Sequence, residues 1–136
     1  MLVAVPLRVA ALACILALGA TPTRAEPVSP AEFEALAEGM TLHFGLDGIP
    51  FGAEQFFAGR RSLWQFADGT CQEGRWWDEG GLICFAYPPE PDEMCWRLTR
   101  ENGTLFAENM TQGGLRLEMI HRGNVPLPCP GPDVGS

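Results

Sequence analysis

Between residues 40 and 122 apolar side chains recur at every second position within short segments, and turn-forming residues interrupt them at intervals of about ten. Leu115, Leu117 and Met119 alternate with Arg116 and Glu118, the pattern of a strand with one buried face. Trp64 and Phe66 alternate with Leu63 and Gln65, and Leu42 and Phe44 with Thr41 and His43. These segments predict strands over about 40–46, 53–58, 61–67, 70–77, 82–87, 94–100, 104–109 and 114–122, with 45–52 read as a turn-rich loop. One stretch has helical spacing instead. Ser29-Pro30-Ala31-Glu32 supplies an N-cap, a Pro at the first helical position and a capping-box Glu, and Phe33, Leu36 and Met40 follow until Gly39 interrupts. A short helix over about 30–38 is the result. Eight short strands and one helix predict a mainly β fold: an antiparallel meander or small up-and-down barrel, with the helix lying over one end.

The turns fix how the cysteines pair. Ala67-Asp68-Gly69-Thr70 carries the Asp-Gly signal of a tight hairpin, and Asp78-Glu79-Gly80-Gly81 reads as the next. A further reversal falls in Pro88-Pro89-Glu90-Pro91-Asp92, where prolines cannot continue a ladder. Centring it between Pro89 and Glu90 sets Cys84 opposite Cys95 on neighbouring strands, within disulfide reach. Cys71 and Cys95 lie two strands apart, about 9.6 Å, which is too far. The pairs are therefore Cys84 with Cys95 and Cys71 with Cys129, the second tying the Pro-rich tail to the sheet. Spacings of 13, 11 and 34 residues, without a Cys-x-x-Cys knuckle, disfavour a zinc site.

Disulfides require an oxidising compartment, and the N-terminus agrees. Arg8 precedes an apolar run over 9–18 and then small residues ending Thr23-Arg24-Ala25, which reads as a Sec-type signal peptide over 1–25 cleaved after Ala25, with Ala20 the next candidate. The run is shorter than the roughly 20 residues that cross a bilayer, so no stable membrane span follows cleavage. Cys14 belongs to this run. A single domain over 26–136 remains, ending in a Pro/Gly-rich tail over 123–136, and its expected location is periplasmic or secreted.

Charge narrows the partners. The whole chain carries 17 acids and nine basic residues, all Arg, for a formal charge of −8. Removing 1–25 takes away Arg8 and Arg24 and no acid, leaving seven Arg against 17 acids and a charge of −10. A strongly acidic domain argues against nucleic acid. The absence of Lys excludes Schiff-base chemistry and a P-loop.

Catalytic patterns are weak. Ser29, Ser62 and Ser136 are the serines, none within Gly-x-Ser-x-Gly. The domain's thiols are committed to disulfides, and His43 and His121 stand 78 residues apart on separate strands. Glu54 and Glu73 form a possible acid and base pair of the kind that arises by chance among 17 acids. Richer is a concentration of rings and guanidinium groups: Arg61, Trp64, Arg75, Trp76, Trp77, Trp96 and Arg97, with Phe56, Phe57, Arg60 and Phe66 beside them. Trp and Arg dominate binding hot spots, whereas rings in a small β domain also serve as core. Adjacent Trp76 and Trp77 face opposite sides of one strand, so at least one is on the outer face or beneath the helix.

The succession Gly39-Met40-Thr41, Leu63-Trp64-Gln65-Phe66, Asp68-Gly69-Thr70, Gly74-Arg75-Trp76, Leu82-Ile83-Cys84-Phe85-Ala86-Tyr87 and Cys95-Trp96 resembles small exported proteins of alphaproteobacteria classed as domains of unknown function. The resemblance spans about residues 39–110 and implies the Cys84 to Cys95 bond; Cys71 and Cys129 lie outside the shared pattern. It implies no activity, cofactor or catalytic residue. The expectation is a periplasmic, non-catalytic binding or accessory module without metal or cofactor, contacting an unknown protein or small ligand through its Arg and Trp residues. Two alternatives are a small-ligand barrel of lipocalin or avidin type, with Trp64 and Trp76 lining a cavity, and an inhibitor of a cell-wall hydrolase.

Overall fold

A computed structural model describes residues 1–4, 14 and 16–129. Most of the apolar run of the expected signal peptide and the last seven residues of the expected tail lie outside the described residues. The elements in chain order are β1 (Glu26–Pro27), α1 (Pro30–Ala37), β2 (Thr41–Leu46), β3 (Ile49–Phe57), β4 (Arg61–Phe66), β5 (Cys71–Glu79), β6 (Leu82–Ala86), β7 (Glu93–Glu101), β8 (Thr104–Asn109) and β9 (Arg116–Gly123).

Strands β2 to β9 pair antiparallel, each with the next, and β9 returns to β2, so the sheet closes into an eight-stranded up-and-down barrel. Closure leaves no open edge within the ring. The expected turns are all present. The predicted loop over 45–52 is instead a hairpin: β2 runs to Leu46, β3 starts at Ile49, and Asp47-Gly48 joins them with φ of 49° and 80°. An Asp-Gly pair tolerates both positive φ angles, which suits a two-residue turn. Cys84 stands directly opposite Cys95 in the β6–β7 ladder and is bonded to it, and Cys71 is bonded to Cys129.

Strand β1 has no counterpart in the alternation, since two residues carry no period. It pairs with Thr99 and Arg100 of β7, extending the side of β7 that β6 occupies only over 93–96. In α1, Ser29 Oγ accepts from the Glu32 amide at 3.2 Å and the Ser29 amide donates to Glu32 Oε2 at 3.2 Å, completing the capping box. The helix plugs one end of the barrel. Its Phe33 meets Phe56 and Trp76 edge to face, with ring centroids 5.3 and 5.4 Å apart. From the turn after β3, Arg60 reaches Glu34 at 3.2 Å and Asp78 at 2.8 Å while lying over the Trp76 ring. Arg122 of β9 donates to the Leu36 carbonyl at 2.8 Å.

The segment after β9 crosses the outer wall as a strap. Thr41 Oγ1 of β2 donates to the Val125 carbonyl at 2.8 Å, and the Leu127 amide donates to Gln55 Oε1 of β3 at 3.0 Å. The Cys129 to Cys71 bond then fixes it to β5. No helix among the described residues is long and apolar enough to cross a membrane.

Candidate functional site

Because α1 occupies one end, the interior is accessible from the other, where the turns after β2, β4, β6 and β8 gather. A cavity of about 280 Å³ opens there. Its floor is Phe33, 2% exposed, and its rim includes Phe66, 46% exposed. Among the described residues, nine of those lining it are aromatic and none is basic.

Two glycines let the rings pack. A Cβ at Gly52 would run into the Trp64 indole, and one at Gly74 would stand 2.6 Å from the Tyr87 ring. With these positions bare, Trp64 folds against β3 and Tyr87 lies across β5, stacked on Phe85 at 6.0 Å. Tyr87 is thereby held over Glu54, the one carboxyl among the described residues that lines the cavity.

Glu54 is 2% exposed, and its Oε2 accepts from the Tyr87 hydroxyl at 2.9 Å. Its Oε1 has no hydrogen-bond partner, and neither has Ser62 Oγ, although Ser62 lies near enough to draw the acid slightly downward. Burial dominates and pushes the Glu54 carboxyl up to about 8. Burial and the neighbouring acid raise Tyr87 well above the usual phenol range. At the rim, Asn109 Oδ1 accepts from the amides of Thr111 and Gln112 at 2.9 and 2.8 Å, leaving its buried Nδ2 without a partner. An interior with an unmatched acceptor and an unmatched donor in an aromatic wall can orient a small molecule.

The residues singled out in the sequence separate into three groups. Trp64 and Trp96 line the cavity. Trp76, expected beside Trp64 in a cavity, lies instead beneath α1 against Phe33 and Arg60, 4% exposed, because β5 carries it close to the plugged end. Trp77 is on the outer wall, as the strand period requires, with Arg75 over its ring at 5.7 Å and its indole nitrogen donating to Glu79 at 3.3 Å. Arg61, over the Phe57 ring, and Arg97 also face outward, so the arginines do not converge with Trp64 and Trp96. Glu54 and Glu73 point to opposite sides of the wall, one buried and one exposed, and form no acid and base pair.

Sequence reasoning missed Glu54 as an interior residue. The signal was its place two residues before Phe56 on one strand, hence on the same face. It also missed that His43 and His121 stand directly opposite each other on β2 and β9, rings 5.4 Å apart on the outer wall. No spacing along the chain encodes that pairing. Among the described residues, Glu79, Cys84 and Cys95 come within metal-ligand distance of one another, but the two sulfurs are joined in a disulfide. Comparison with protein-family models, curated proteins and solved structures finds no match.

Proposed function

We propose that this chain is an exported, non-catalytic binding module whose barrel interior takes a small, largely apolar ligand. The observation that carries the reading is the aromatic cavity of about 280 Å³ with a buried carboxyl oxygen left without a partner inside it. Its volume falls just short of about 300 Å³, where ligand sites begin, so only a small occupant fits. Leaving a buried acceptor unmatched costs about 1–3 kcal/mol, and a ligand donor would recover that energy. Two disulfides support an oxidising, extracytoplasmic setting, to which the signal peptide and the kinship with exported alphaproteobacterial proteins belong as parts of the same proposal. Trp64 and Trp96 are the binding residues of this reading. The outward Arg61, Arg75, Trp77 and Arg97 would serve only a macromolecular partner on the wall.

The test is an NMR screen of small aromatic compounds, neutral and charged, against the protein and against Ala107→Phe. Ala107 lines the cavity and is buried, so a phenyl group there fills the space. Shifts confined to cavity-lining residues and lost in Ala107→Phe are expected. Shifts that persist in the filled variant, or none with any compound, would overturn the reading.

A further inference from the structure

The cavity's chemistry is asymmetric in a way that specifies a charge. Among the described residues, the only ionisable groups lining it are the Glu54 carboxyl and the Tyr87 phenol, and no guanidinium or imidazole reaches it. Around Glu54, rings such as Phe44, Phe56, Trp64, Phe85 and Tyr87 wall the same space. Aromatic faces carry negative quadrupole charge and attract cations, most strongly where water is excluded. An anionic ligand would meet both a carboxyl and these faces.

The entrance repeats the preference. The connections at the open end, residues 47–48, 67–70, 87–92 and 110–115, contain Asp47, Asp68, Glu90 and Asp92 and no basic residue. Arg60, Arg61, Arg100 and Arg122 sit instead at or near the connections of the plugged end. A mouth of one sign with low-dielectric walls concentrates ions of the opposite sign.

Resting on the ligand-binding reading above, we propose that the occupant is an organic cation: an ammonium whose head sits against Glu54 within the aromatic wall and whose apolar body fills the rest of the cavity. Glu54 Oε1, buried and without a partner, is the carboxyl oxygen such a head would face. With no cation beside it, the carboxyl holds its proton at neutral pH. The arriving ammonium favours the carboxylate, so the Glu54 proton leaves to solvent and one proton is released for each cation bound. Facing Glu54 are the Tyr87 phenol from the residue just after β6 and the uncharged Ser62 from β4, so no second charge competes for the cation.

The experiment compares trimethylphenylammonium with its uncharged isostere tert-butylbenzene by calorimetry at pH 6, 7 and 8, using the protein, Glu54→Gln and Ala107→Phe. The cation is expected to bind more tightly than the isostere. Its affinity should rise about tenfold from pH 6 to 7 and level off above about 8, because its own charge does not titrate. Glu54→Gln should remove both the preference and the pH dependence while still taking tert-butylbenzene, and Ala107→Phe should take neither. Equal or tighter binding of the isostere, without pH dependence, overturns the cation class and leaves the cavity reading standing. Cation binding that survives in Ala107→Phe assigns it to the acidic surface and also overturns the proposal. If neither compound binds, the cavity reading falls and this proposal with it.

Discussion

The Tyr87 hydroxyl donates to Glu54 Oε2 at 2.9 Å inside the barrel, from the end of β6 across β5 and β4 to β3. The bond satisfies half of a carboxyl that burial has already pushed up to about 8. Its consequences for stability can be separated from any consequence for binding.

With a folded value of about 8 and an ordinary value of 4.5, Glu54 keeps its proton in the barrel over a range where the unfolded chain has lost it. The unfolded state binds fewer protons there, so stability falls as pH rises from about 4.5 to about 8 and is flat above. Glu54→Gln keeps an acceptor for Tyr87 and removes the titration. It should be more stable than the parent by roughly 3 kcal/mol at pH 7 and indistinguishable from it near pH 4. Urea unfolding at both pH values checks this, and an equal offset at both would contradict it.

Gly74 is bare because Tyr87 needs the space. A Cβ there would stand 2.6 Å from the Tyr87 ring and 3.0 Å from Ser62 Oγ, and its backbone angles are open to any residue. Gly74→Ala should therefore cost about 1–3 kcal/mol through overpacking and displace the Tyr87 hydroxyl from Glu54. Combining it with Tyr87→Leu relieves the clash, so the alanine should cost less in that background. Additive penalties in a double-mutant cycle would show that the ring is not the obstacle.

Much of this barrel was legible because period-two alternation and Asp-Gly turns act locally. Leu115, Leu117 and Met119 alone announce one face of β9. The Cys84 to Cys95 bond followed from where the prolines centre the β6–β7 turn. The candidate site was harder to read. Trp64, Trp76 and Trp96 are alike in sequence, yet depth along the barrel places Trp76 under α1 and leaves the other two in the cavity. That depth depends on which end the helix plugs, which is a tertiary outcome. Asp47-Gly48 is a local signal that a wider stretch of glycines and Pro50 obscured. The bulge that turns Ile120 outward and sets His43 opposite His121 belongs to a pairing 78 residues apart, with no local trace.

The strap crossing β2 and β3 is held chiefly by its last link. Cys71 and Cys129 are 58 residues apart, so their bond closes a long loop and restrains the unfolded chain by about 4 kcal/mol, against about 3 kcal/mol for the 11-residue separation of Cys84 and Cys95. Cys71→Ser with Cys129→Ser should lose about that amount and expose Leu127, which the strap now buries. The cavity lies on the other side of the wall, so its ligand shifts should be retained. Faster hydrogen exchange at the Leu127 amide, whose partner is Gln55, reports release of the strap.

The His43 and His121 rings provide the last pH dependence. Partial burial, and then the charge of His121, hold His43 below its ordinary 6.5. As pH falls through 6.5 the unfolded chain takes up this proton before the barrel does, so the native state loses stability between 6.5 and the lower folded value. The pair is partly solvated, and screening limits the effect to a few tenths of a kcal/mol, roughly that of a surface ion pair. His43→Gln should flatten the stability profile below pH 6.5 and leave it unchanged at pH 8, where the His43 ring is neutral. An NMR titration of the His43 ring before and after His121→Gln isolates the mutual term: His43 should titrate at a higher pH once its neighbour cannot carry charge. An unchanged midpoint would attribute its depression to burial alone.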